Sequence, residues 1–111
     1  MTNTNKERQM NFANHIGYTD VTPYEVVRKI SEKTLEIRAM RSELDPTWKP
    51  VRVPGGFAGH CVNNNTQRWI ITSDVTAKVI RIRLGKRGWR GADGGRYKLS
   101  DKPFRHYDYN F

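Results

Sequence analysis

The sequence predicts a mainly β domain: a small, strongly bent antiparallel sheet or SH3-like partly open barrel with long loops. Two observations carry this. In two segments apolar and polar residues alternate with a period of two, so that Leu35, Ile37 and Ala39 oppose Thr34, Glu36 and Arg38, and Ile80, Ile82 and Leu84 oppose Val79, Arg81 and Arg83. Elsewhere, Pro23, Pro46, Pro50 and Pro54 interrupt any long helix. The rival is an α+β domain with a helix over Glu25 to Met40, where Glu25, Arg28, Glu32 and Glu36 allow helical pairing. The alternation over Thr34 to Ala39 weighs against it.

Taken in order, residues 1–11 are polar and read as a disordered arm, and residues 12–111 as a single β-rich domain. Tyr24 to Ile30 and Thr34 to Met40 form a hairpin through Ser31-Glu32-Lys33. The adjacent Val26 and Val27 suggest a bulge, or a strand covered on both faces. From Arg41 to Asn65 the pattern stops, leaving a long irregular loop of the kind that is often functional, closed by Asn63-Asn64-Asn65. Arg68 to Thr72 is a short buried strand, Lys78 to Leu84 the next, and Tyr97-Lys98-Leu99 the last. The aromatic end, Phe104 to Phe111, is expected to pack back onto the body, since its rings would otherwise form a sticky patch. Of the tryptophans, Trp69 is assigned to the core, Trp48 to a cap on the barrel, and Trp89 to the surface.

Charge is concentrated in one place. Lys78 to Lys98 holds eight basic residues against one acid, Asp93, and so carries +7 of the chain's net +9. With a pI near 10, this points to polyanions: nucleic acid first, an acidic protein face second, an anionic membrane third. The candidate partner-binding residues are Arg81, Arg83, Lys86, Arg87, Trp89, Arg90, Arg96 and Lys98. Guanidinium forks suit phosphates, and an exposed Trp89 would stack on an unpaired base. Five phosphate contacts would give a salt slope of roughly −3.5 on a single strand and about −4.5 on a duplex. The bland alternative is a solvated strand whose arginines pair with Glu25, Glu32, Glu36 or Asp93.

No constellation for catalysis emerges. Gly55-Gly56-Phe57-Ala58-Gly59-His60-Cys61 matches neither the Walker loop nor the dinucleotide fingerprint, and reads as a tight structural loop with Phe57 in the core. His60 and Cys61, considered with His15 and Asp20, lack zinc-ligand spacing. Adjacent residues on an extended chain also point apart, so Cys61 is assigned as buried and inert. Glu43, Asp45 and Asp108 make no carboxylate pair. The expectation is a protein without catalytic residues, metal or cofactor. A lone cysteine fits a reducing cytosol. No apolar run approaches the roughly 20 residues of a membrane span, and the arginines beside the edge strand at Val79 favour a monomer or weak dimer.

Several motifs carry a resemblance: Thr19-Asp20-x-x-Pro23-Tyr24-Glu25-Val26-Val27, then Ser31-x-Lys33-Thr34-x-x-Ile37-Arg38, then Pro54 to Cys61, Trp69, Ile80 to Leu84, and the closing Tyr107-Asp108-Tyr109-Asn110-Phe111. Together, over about Asn14 to Phe111, they resemble a group of small proteins carried by bacteriophages, prophages and plasmids. The resemblance implies a small β-rich body in the cytoplasm of a bacterial host cell, and brings no activity with it. Small proteins of such elements are often inhibitors of host defence, anti-CRISPR or anti-restriction proteins among them. The second expectation is therefore an inhibitor docking on an acidic or nucleic-acid-binding face of a host defence complex, through the basic face and the Arg41 to Asn65 loop.

Overall fold

In the computed structural model, which describes residues 10–54 and 60–109, eleven strands are found among the described residues: β1 Phe12–Ile16, β2 Val21–Thr22, β3 Tyr24–Ser31, β4 Thr34–Ala39, β5 Arg41–Leu44, β6 Arg52–Val53, β7 His60–Cys61, β8 Trp69–Thr72, β9 Val79–Gly85, β10 Gly88–Gly91 and β11 Arg96–Ser100. Six of them close an antiparallel barrel in the order β1-β3-β4-β9-β10-β11, with β11 returning to pair with β1 over its whole length. The short β2 adds a seventh. It continues the register in which β3 meets β1, across the buried Pro23. Closure removes free edges around the ring. The expected mainly β, barrel-like fold is the observed one, and the Glu25 to Met40 segment is a hairpin rather than a helix.

The alternation decides which side chains enter. Ile37 and Ile82 are fully buried, and Ala13, Leu35 and Tyr97 complete the core, with Tyr24, Val26, Ile80, Trp89 and Leu99 packed around it. The expected bulge is present, because the β3–β4 register shifts between Val26 and Arg28. Inside the barrel His15 and Tyr24 lean on Tyr97, their ring centroids 5.0 and 5.4 Å from it. Burial, aided by the Tyr24 hydroxyl, holds the Tyr97 phenol well above the usual tyrosine range.

Beside the barrel, residues 41–54 and 60–72 are more ordered than the sequence suggests. β5 pairs with β8 and β6 with β7, and Asn64–Thr66 form a 3-10 turn. Two tryptophan assignments change in this lobe. Trp48 is buried in this lobe, against Tyr109 at 5.5 Å and donating to Thr66 Oγ1 at 3.1 Å, rather than capping the barrel. Trp69 is only half-buried and lies outside the core, under the Arg105 guanidinium at 5.2 Å, and β8 exposes Ile70. Among the described residues the four-residue β8 pairs with β5 alone, which is too little to bury both its faces. Cys61 is buried, with its Sγ 3.3 Å from Asn63 Oδ1. The readings placed on residues 1–9 and 55–59, on the His60 side chain and on residues 110–111 lie outside the described residues.

The aromatic end packs back in part: Tyr109 lies against Trp48, while Phe104 and Tyr107 stay exposed. Asn64 and Gln67 hold it: Tyr107 N donates to Gln67 Oε1, Tyr109 N to Asn64 Oδ1, and Gln67 Nε2 to the Tyr107 carbonyl. Among the described residues no helix is long and apolar enough to cross a membrane.

Candidate nucleic-acid interface

The basic segment folds as β9, a two-residue turn of Lys86 and Arg87, β10, and a return through residues 92–95 into β11. The first turn is tight, and Gly88 after it takes φ +94°, a conformation glycine adopts without penalty. Its length fixes the register: Gly85 meets Gly88, Leu84 meets Trp89 and Arg83 meets Arg90. The second turn is built by Asp93, whose Oδ1 accepts Gly95 N at 2.9 Å, and by Gly94 at φ +86°. It aligns Arg90 with Arg96 and Trp89 with Tyr97.

Directly paired residues share a face. Arg83, Arg90 and Arg96 therefore stand in one row across β9, β10 and β11, on the outside of the barrel. With strands spaced about 4.8 Å apart, the row spans roughly 10 Å. Like charges directly opposite one another cost stability, so the fold maintains this row against its own interest.

The acids named as its possible counter-charges are engaged elsewhere. Glu25 pairs with Arg38 at 2.7 Å, Glu32 with Lys29 at 3.4 Å, and Asp93 closes its own turn. Glu36 takes Arg81 at 2.8 Å, and this hydrogen bond holds its carboxyl below the usual range. Of the predicted cations, Arg81 alone meets a carboxylate among the described residues; Arg83 and Arg96 have none. Arg90 donates from Nη1 to the Gly94 carbonyl at 3.1 Å, while its buried Nε is without a partner among the described residues. Arg81, Arg83 and Arg90 line a shallow concavity of about 430 Å³ with Gly85 and Ala92. Lys86 and Arg87 are exposed at the hairpin tip, and Lys98 is exposed on the outer face of β11, two residues past Arg96.

Trp89 is a correction. It is half-buried and packs against the core from the inner face of β10, because its partner Leu84 lies on that face. It offers no stacking surface beside the arginines. The register of a two-residue hairpin, counted outward from Lys86 and Arg87, is the sequence signal for this placement.

Sequence reasoning missed the neighbouring stretch Lys102-Pro103-Phe104, where basic and aromatic residues also adjoin. Among the described residues no three His, Cys, Asp or Glu side chains gather as a metal site. No protein-family model, curated protein or solved structure matches the chain.

Proposed function

We propose that this protein is a non-enzymatic binding module of a mobile element, engaging nucleic acid, free or within a nucleoprotein complex, through the outer face of β9, β10 and β11. The observation that carries this is the in-register row Arg83, Arg90 and Arg96, kept clear of carboxylates among the described residues. Guanidinium forks on a fixed sheet match phosphate oxygens in geometry as well as charge. Arg87, Lys86 and Lys98 extend the positive field, while Arg81 is occupied by Glu36. Contacts of this kind position a backbone and carry no sequence information, so binding is general rather than sequence-specific.

The test is fluorescence anisotropy with single-stranded DNA, duplex DNA and RNA, comparing the native chain with one in which Arg83, Arg90 and Arg96 are each changed to Glu. Salt-sensitive binding that the variant loses supports the proposal. Absence of binding by the native chain at low salt defeats it for naked polymers.

One observation favours the second reading, a host-defence inhibitor directed at a protein. Val62 N donates to the Val51 carbonyl and Val53 pairs with His60, which sets Val51, Val53 and Val62 on one exposed face of the β6–β7 ribbon. An apolar face of this sort suits a protein partner. On this reading naked oligonucleotides bind poorly, and affinity emerges only with a protein complex present.

A further inference from the structure

Next to the arginine row lies a groove of about 450 Å³, between β1 and the segment that follows β11. Its apolar lining includes Ile16, Val21, Leu99 and Phe104, and Lys98 and Lys102 also line it. That volume is within the range of small-ligand sites. The groove continues the row directly, since Ile16 is the register partner of Arg96 and one strand spacing, about 5 Å, separates them.

Phe104 is the unusual residue. The residue is 54% exposed, while its backbone is fixed. The buried Asn14 accepts from Phe104 N at 3.0 Å with its Oδ1 and donates to the Lys102 carbonyl at 3.3 Å with its Nδ2. A held backbone thus presents an aromatic ring to solvent in a groove that two lysines also line, with Asp101 the acid of the same turn.

We infer that this groove receives an unstacked nucleobase of a single strand whose phosphates lie on the arginine row. The inference rests on the reading of the row as a phosphate-binding face. Charge selects the occupant: the apolar floor takes a flat ring, and the cations at its margin and along the row take the adjoining phosphates. A duplex keeps its bases stacked and paired, so it uses the row and not the groove.

The experiment measures anisotropy of the full chain with an oligothymidylate, an abasic strand of equal length, and a duplex, for the native protein and for Phe104→Ala and Phe104→Trp. Loss of one base–aromatic stack is worth roughly 5- to 150-fold. Phe104→Ala is expected to weaken oligothymidylate binding within that range, to leave the abasic strand and duplex unchanged, and to be rescued by Phe104→Trp. Unchanged oligothymidylate binding by Phe104→Ala overturns the inference, as does an equal loss on the abasic strand. If the native chain binds abasic and base-bearing strands equally and the arginine row variant loses both, the groove is excluded while the phosphate-binding face stands. If the native chain binds none of the three at low salt, both readings fall.

Discussion

Ile82 pairs with Leu35 across the β4–β9 ladder and is fully buried, one residue from the exposed Arg83. Single residues thus link the barrel's stability to the basic face. Truncating Ile82 to alanine removes buried methylenes that the closed barrel cannot refill, at a cost of roughly 2–5 kcal/mol. Urea denaturation checks this, and a midpoint unchanged from the native chain would contradict the packing described. The same strand shows how far residues can be read directly. Alternation separates Ile80 and Ile82 from Arg81 and Arg83 correctly. It gives no partner for Arg81, because Glu36 reaches it across 45 residues of sequence, and a pairing of that separation has no local signature.

At the scale of elements, the β3–β4 hairpin, β9 and β11 are legible because each alternates or is bounded by glycine or a short turn. The strand that closes the barrel is not. β1, Phe-Ala-Asn-His-Ile, mixes polar and apolar residues, and its polar members are explained only by what packs on them: His15 enters the aromatic cluster, and Asn14 clips the chain 88 to 90 residues away. Asn14→Ala removes both bonds of that clip. Hydrogen exchange at the Phe104 amide is expected to accelerate while that of the β4 and β9 ladder amides is unchanged; equal protection in the variant would mean that the segment is held by something else. Residues 41–65 read as irregular because their prolines hide the β6–β7 ribbon and the strand β5, whose partner β8 lies beyond them. Trp89 reads as exposed when only its basic neighbours are considered, because its face is set by the turn length carried through to the register.

For the whole molecule, charge contributes to stability and underlies the proposed binding. Among the described residues, three carboxylates are held below their usual values: Glu36 by the Arg81 hydrogen bond, Asp45 by the Thr47 backbone N–H and hydroxyl, and Asp74 by the Thr76 hydroxyl and N–H. Depressed values in the fold mean that this stabilisation is complete above the ordinary carboxylate range, about pH 4, and is lost as pH falls through the folded values. Denaturation midpoints are therefore expected to change little between about pH 7 and 5 and to fall between about pH 4 and 2. Constant stability down to about pH 2 would rule these bonds out as contributors. The fold class follows from patterning, but the proposed interface needs the register of three strands, because what distinguishes it from a scatter of cations is the alignment of Arg83, Arg90 and Arg96.

That alignment is tested most directly by the salt dependence of single-strand binding, native chain against the chain with Arg83, Arg90 and Arg96 replaced by Gln. If all three meet phosphates, the slope of log affinity against log salt becomes shallower by about 2 in the variant. Equal slopes, or a native chain whose binding ignores salt, would contradict the account.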